Sequence, residues 1–449
     1  MDAVVESRCV KLRGCFHAGV AAFKGIPYAV PPFGANRLLP PRPLEPWVGT
    51  RAALAFGPKS PQVPYPPGIA EALAELVDAG EDCLSLNIWT PNLGLGGRPV
   101  MVWIPGGMFE FHATGATAFY DGSRFARDGV VCVTINYRVG AEGFLYLADG
   151  VANLGLLDQI AALEWVQENI AVFGGDPGKV TIFGESAGAM SVATLLTMPG
   201  AKGLFRRAIV QSGNTPNVTS AATAARIGRR LAQKLGAAAS REALAAVSSE
   251  RMLAAQAQLR DDLLARPDPE FWGEVALSYL PWAPTVDGAT IPAPPVERIR
   301  AGAAADIDLL VGSNTEETRL FLLSDGSIDR ISDEALVTMA AAYGLSAEGC
   351  APTAPCILGP VRVICSRRSR RIGTGASLPS VWQMRTPARR APPPTCTSSP
   401  GARHRWAAGW GRRMAWRYPS CSTPLGSEPS QCWGGTRRRR WRTRCIGPG

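Results

Sequence analysis

Apolar residues fall along the first three-quarters of this chain in two alternating patterns. Short continuous runs lie at Val100-Met101-Val102-Trp103-Ile104, Val130-Val131-Cys132-Val133-Thr134-Ile135, Val180-Thr181-Ile182-Phe183, Ala208-Ile209-Val210 and Ile307 to Val311. Runs this short, with no polar face, predict strands buried on both sides of a sheet. Between them the period lengthens to that of a helix. Leu156, Ile160, Ala161, Leu163, Val166 and Ile170 form one stripe through residues 155–173. Ala-rich stretches at 219–235 and 240–259 predict two more helices. Strands alternating with helices predict an α/β fold with a mostly parallel sheet covered on both faces.

The patterning stops near residue 350, and composition changes at the same place. Residues 350–449 hold 19 Arg, no Lys and one acid, Glu428, whereas residues 1–349 hold 28 Lys and Arg against 36 Asp and Glu. The net charge of +10 therefore averages a part at −8 and a part at +18. Seven of the 11 cysteines and six of the 12 tryptophans also lie beyond residue 349. The chain is read as an incomplete folded domain over 1–349, followed by a segment, 350–449, predicted to have no defined fold. Two readings of that segment compete. One is a basic arm for nucleic acid or a membrane surface. The other is a GC-rich gene translated out of frame, which yields just such Arg, Pro, Ser, Cys, Trp and Gly. Permitted codons for Arg413 to Pro424, read from the third base, spell His-Gly-Val-Glu-Ile-Pro-Phe-Val-Phe-Asp-Thr. A frame slip near Gly349–Cys350 explains both the composition and the recoverable peptide, and it removes nucleic acid from the expected partners.

The remaining composition narrows the setting. The N-terminus lacks a basic-then-apolar leader, and no apolar run reaches the roughly 18 residues of a membrane span. The cysteines before residue 350 (Cys9, Cys15, Cys83 and Cys132) show no metal-ligand spacing. Free thiols, a reducing cytoplasm and no metal or cofactor are expected.

The candidate chemistry centres on Gly184-Glu185-Ser186-Ala187-Gly188. This G-x-S-x-G follows a predicted strand and precedes a helix-compatible run, the setting of a nucleophile elbow. Glycines two residues either side suit a turn too tight for side chains, and a helix starting there points its N-terminus at a developing oxyanion. Pro105-Gly106-Gly107-Met108 ends an earlier strand and suits a second set of oxyanion N–H donors, or a plain strand-end turn.

With these in place, the chain resembles the type-B carboxylesterases of the α/β-hydrolase fold, a family that includes bacterial para-nitrobenzyl esterases and cholinesterases. The matching stretches include Phe23 to Ala29, Glu81 to Trp89, Val102 to Gly107, Asn136-Tyr137-Arg138 and Gly155 to Gln159. Phe173 to Pro177, Phe183 to Gly188 and Gln211-Ser212-Gly213 continue the match in family order. The resemblance implies an α/β-hydrolase fold with Ser186 as nucleophile and the N–H groups of Gly107, Met108 and Ala187 as oxyanion hole. Met108 stands where the family usually has Gly or Ala, which narrows the acyl pocket. Gly312 to Glu317 matches the segment carrying the triad acid and implies Glu317 rather than Glu316. Glu185 is typical beside the nucleophile and could stabilise an imidazolium. Arg37–Glu81 and Arg138–Asp158 resemble the family's ion pairs. Ser60 stands where many relatives place the partner of Cys83, so no disulfide is expected.

The base is the missing member. The chain has three histidines: His17, His112 and His404. His17 lies in the N-terminal β region, His112 precedes Ser186 in the chain, and His404 lacks the family context. The family's His-Gly-x-Glu-[Ile/Leu]-Pro segment is recovered only in the alternate frame over Arg413 to Pro419. The expected function is hydrolysis of a small carboxylic ester through an acyl-serine, impaired in this chain by the absent histidine. The alternative is a non-catalytic pseudoenzyme or interaction module of the same fold.

Overall fold

The apolar runs become the centre of one large mixed sheet. The computed structural model describes residues 2–6, 11–65, 78–94, 96–112, 114–213 and 217–317, all within one compact unit of the chain. The segment 350–449, its predicted lack of fold and the boundary at 349 lie outside the described residues. The strands are β1 (Asp2–Glu6), β2 (Lys11–His17), β3 (Val20–Pro27), β4 (Arg51–Ala52), β5 (Ser85–Thr90) and β6 (Arg98–Ile104). They continue with β7 (Val131–Ile135), β8 (Gly175–Glu185), β9 (Arg207–Gln211), β10 (Thr219–Ser220), β11 (Thr285–Val286) and β12 (Asp308–Gly312). The main sheet runs β1-β2-β3-β5-β7-β6-β8-β9-β12, with β4 beside β2, while β10 and β11 pair separately.

Pairing is antiparallel from β1 to β7 and parallel from β7 to β12. The expectation of a mostly parallel sheet therefore holds for the half that carries the candidate site. The outer antiparallel strands β1 and β2 lack continuous apolar runs for a physical reason. In β1 and β2, buried and exposed residues alternate, as on a sheet with one wet face. By contrast, β5 and β7 are buried at every position.

One strand departs from its expected burial. Residues 307–311 read as buried on both faces, yet Leu309 is 43% and Leu310 60% exposed. Among the described residues, β12 pairs only with β9. An apolar run states a need for cover, and here the described residues do not supply it.

The helices largely follow the sequence pattern. Helix α1 (Leu154–Asn169) runs into a 3-10 turn (Ile170–Phe173) and stops at Gly174, φ 82°. Helix α2 (Ala187–Leu195) follows β8 after a single residue. The Ser220 hydroxyl accepts from Thr223 N to cap α3 (Ala221–Leu235), which ends at Gly236 in the left-handed region. The single helix predicted over 240–259 is instead two, Arg241–Ala245 and α4 (Ser249–Ala265). Ser248 accounts for the break, because its side chain caps α4 by accepting from Arg251 N.

Buried ion pairs join the layers. Arg138 donates to Asp158 through Nε (2.8 Å), Nη2 (2.7 Å) and its backbone N (3.1 Å), and neither side chain is exposed. The expected Arg37–Glu81 pair is not formed. Arg37 Nη2 lies 2.5 Å from Glu142 Oε1, on the short helix Gly140–Phe144, and Glu81 is exposed. A buried guanidinium needs a buried carboxylate to offset its desolvation, and Glu142 provides one.

Candidate active site

The parallel strands β6, β8, β9 and β12 end on one edge, and the candidate residues gather there. In open parallel sheets this carboxyl edge is where ligands bind. β8 runs to Glu185 and α2 begins at Ala187, so Ser186 alone makes the turn, with φ 55° and ψ −126°. A non-glycine residue there stores about 1–3 kcal/mol of strain. The turn is held from both sides: Ser186 N donates to Gln211 O (3.0 Å) and Met190 N donates to Ser186 O (2.9 Å). The flanking glycines are forced by close approach. A Cβ on Gly184 would lie 2.6 Å from the Gly188 carbonyl carbon, and one on Gly188 would lie 2.1 Å from Ile104 O.

Register brings the second glycine turn to the serine. Ile104 pairs with Gly184 across β6 and β8, so residues 105–108 emerge beside the elbow. A Cβ on Gly106 would be 3.3 Å from Ser186 Cβ and 3.3 Å from Glu185 Oε2. Gly107 (φ 112°) and Met108 (φ 57°) are both left-handed, and Tyr137 Oη donates to Pro105 O at 2.8 Å. Ala187 is fully buried at the first position of α2.

Glu317 reaches the same edge. Its carboxylate accepts from Asn314 N (2.6 Å) and Asn314 Nδ2 (3.4 Å), and Asn314 Nδ2 also donates to Ser212 Oγ (3.2 Å). Ser212 N donates to Gly312 O, and the preceding Gln211 carbonyl holds Ser186 N. A short chain of hydrogen bonds thus ties Glu317 to the elbow. Glu316 is exposed and Glu317 half-buried. In the sequence, Asn314 and Ser212 stand only as members of matching motifs. Their function as links between β9, β12 and Glu317 has no signature short of the pairing itself.

Glu185 is exposed over much of its surface, but its carboxyl end packs over Gly106. Desolvation there, aided by the charge of Glu317, raises its pKa to about 7. Glu185 and Glu317 are therefore close enough to repel. Burial, with Glu185 second, also pushes the Tyr120 hydroxyl upward.

Of the two described histidines, His17 stands away from these groups and His112 sits among aromatic rings. His17 is exposed at the end of β2, and β3, β5, β7 and β6 lie between β2 and β8. His112 is buried at φ 48°, with ring contacts to Tyr65 (5.9 Å) and Tyr120 (5.8 Å). His404 lies outside the described residues. Cys83 and Cys132 are buried free thiols, Cys15 is exposed, and Ser60 is buried. Among the described residues, no group of three or more His, Cys, Asp or Glu could hold a metal ion, and no helix is long and apolar enough to cross a membrane.

The profile described as "Carboxylesterase family" matches residues 2–342. The chain belongs to the carboxylesterase family. It is 42% identical over 332 residues to the para-nitrobenzyl esterase of Bacillus subtilis (strain 168), covering 72% of this chain and 65% of that protein. It is 40% identical over 312 residues to phenmedipham hydrolase of Pseudarthrobacter oxydans, covering 68% of this chain and 60% of that protein. The chain thus spans less than two thirds of the length of these relatives. Carboxylesterase EST55 of Geobacillus stearothermophilus, solved at pH 6.2, is similar with a TM-score of 0.66 at 41% identity, over 77% of this chain and 68% of that one. A PNB esterase structure has a TM-score of 0.67 at 40% identity, over 77% and 69%. The carboxylesterase likeness, at these identities, makes the fold that of the α/β-hydrolases.

Proposed function

We propose that this family domain is built to hydrolyse small carboxylic esters through an acyl-serine. Ser186 Oγ attacks the ester carbonyl, the alcohol leaves, and water then releases the acid. The N–H groups of Gly107, Met108 and Ala187 receive the oxyanion, so the carbonyl charge is stabilised as it develops. In this reading Glu317 orients an imidazole base and Glu185 stabilises the imidazolium. The observation that carries this reading is the strained Ser186 turn, closed by Gly184 and Gly188 and set against Gly106. The names of the relatives, para-nitrobenzyl esterase and phenmedipham hydrolase, make activated aromatic esters suitable first substrates. A cytoplasmic setting and the absence of a cofactor or nucleic-acid partner belong to the same proposal.

The same reading makes this chain a poor catalyst. His17 and His112 precede Glu317, His404 lacks the family context, and the family histidine segment is recovered only in the alternate frame. The 350–449 segment is read as the product of a slip near codon 350. Exposed Leu309 and Leu310 support that reading, because the apolar β12 lacks cover among the described residues. Loss of one triad member leaves about 10³–10⁴-fold catalysis over water from the oxyanion hole and binding.

The absent imidazole also favours a second reading, a non-catalytic member of the family. Turnover of p-nitrophenyl acetate separates the two. Slow hydrolysis abolished by Ser186→Ala supports the impaired esterase. A rate unchanged by Ser186→Ala supports the non-catalytic reading. Turnover near the ~10 s⁻¹ typical of enzymes, lost with Ser186, would show that a histidine of this chain does serve as base.

A further inference from the structure

The turn proposed to supply Gly107 and Met108 N–H groups is costly to build. Besides Gly107, three non-glycine residues in it have positive φ: Met108 (57°), Phe109 (58°) and His112 (48°). Each costs on the order of 1–3 kcal/mol and persists only where the surroundings determine it. Within the turn, Gly107 O accepts from Glu110 N (3.0 Å) and Phe111 N (2.7 Å). From outside, Tyr65 stacks on Phe111 (4.7 Å) and Phe144 packs on Phe109 (5.1 Å), and the polar restraint comes from one face of α4. Arg260 Nη1 donates to Glu110 Oε2, Nη2 lies 3.9 Å from Met108 Sδ, and the guanidinium sits 4.5 Å over the Phe111 ring. A single side chain thus touches residues 108, 110 and 111.

Gln256 lies one turn earlier on α4, at the i, i+4 spacing that shares a face. Its Oε1 accepts from Ala141 N (2.8 Å) and lies where a Cβ on Gly140 would be. Gly140 N in turn donates to Phe109 O at 2.7 Å. The same helix face therefore grips the turn directly at Glu110 and indirectly at Phe109. Glu110 is 1% exposed. The guanidinium offsets part of its burial, which still raises its pKa, and an unpaired carboxylate there would be more strongly disfavoured.

We propose that Arg260, acting through Glu110, Met108 and Phe111, is the positioning residue that holds the Gly107–Met108 backbone in its donor geometry. The inference rests on the esterase reading for the function of those N–H groups, while the grip itself stands on contacts alone. Planar geometry matters here: the Arg fork can pair, stack and reach the sulfur at once, which a compact Lys ammonium cannot.

The test uses the full chain with Arg260→Met, Arg260→Lys and the neutral double variant Arg260→Met/Glu110→Gln. Arg241→Met, which breaks the Arg241–Asp149 pair elsewhere, is the reference. Hydrogen exchange by mass spectrometry follows residues 107–112 against strands β7 and β8. Arg260→Met and the double variant should raise exchange in 107–112 about ten-fold with β7 and β8 unchanged, and Arg260→Lys should fall between them and the parent. Arg241→Met should leave 107–112 unchanged. The Ser186-dependent rate on p-nitrophenyl acetate should fall about ten-fold in kcat for Arg260→Met, with KM unchanged. Exchange in 107–112 that stays at the parent level, or that rises equally in β7 and β8, overturns the proposal. So does a loss confined to KM. If the parent rate is independent of Ser186, the esterase reading fails, and the exchange measurement still decides whether Arg260 holds the turn.

Discussion

Adding one methyl group to the elbow should be costly in a way that isolates the turn geometry. In Gly188→Ala the new Cβ would lie 2.1 Å from Ile104 O and 2.9 Å from both the carbonyl carbon and the oxygen of Pro105. The first contact falls about 1.3 Å short of the 3.4 Å at which ordinary contact begins. All three atoms are backbone, and Ile104 belongs to a central strand paired on both sides. No side chain can swing away, so β6 and α2 must separate. Overpacking of this kind typically costs 1–3 kcal/mol. With rigid partners the upper end, about 3 kcal/mol, is expected, corresponding to a fall in melting midpoint of roughly 4–5 °C for a domain of this size. Gly200→Ala is the control, since its Cβ would meet only Ile160 Cδ1 at 3.5 Å. Thermal unfolding followed by circular dichroism should separate the two, with the control within about 0.5 kcal/mol of the parent. A Gly188→Ala protein as stable as Gly200→Ala would refute the close approach of α2 to β6.

Other expectations follow from the buried charges and thiols. Arg138→Met strands the fully buried Asp158 carboxylate and should cost about 3–5 kcal/mol, whereas Arg138→Met/Asp158→Leu should recover part of it; chemical denaturation reads both. Glu185 has a folded pKa raised from its ordinary value to about 7, so the folded state holds its proton more tightly than the unfolded one. That contribution is fully present below the unfolded pKa and is lost as pH rises towards 7. Glu185→Gln should therefore raise the melting midpoint around pH 8, with the gain shrinking around pH 5; an equal gain at both contradicts the shift. Burial pushes the Cys83 thiol up to about 12, while Cys15 is exposed. Brief alkylation followed by peptide mapping should modify Cys15 and spare Cys83.

How much of this was legible in the sequence varied with the physics behind each element. Apolar runs marked several central strands: those at 100–104 and 180–183 fall within β6 and β8, and the run at 130–135 exceeds β7 by one residue, whereas the equally buried β5 carries Ser85, Asn87 and Thr90 and shows no such run. The half-wet strands β1 and β2 carry an alternation that short segments do not make distinctive. The elbow was readable because its glycines are required by contact rather than by preference. Arg37 was assigned the wrong carboxylate, since Glu81 and Glu142 are equivalent as letters and differ only in burial. The Arg260–Glu110 grip joins residues 150 apart with no local pattern to betray it. Ser248 could have been found, because a serine before Ser249-Glu250-Arg251 is a capping signal that divides the Ala-rich stretch in two.

The central claim is that an esterase site stands here without its base, lost through a slip of frame near codon 350. A one-base change at that point, verified against the nucleotide sequence of codons 345–355, tests it most directly. The repaired chain should carry a His-Gly-Val-Glu-Ile-Pro segment after Glu317, cover Leu309 and Leu310, and melt at a higher temperature. Its hydrolysis of p-nitrophenyl acetate should rise at least a hundredfold over the present chain, the lower end of what a positioned general base supplies, about 10²–10⁴-fold. Ser186→Ala should abolish that rate, and Glu317→Gln should cost far more than Glu316→Gln. An early stop codon, a frame without the histidine segment, or a repaired protein no more active than its parent would contradict it.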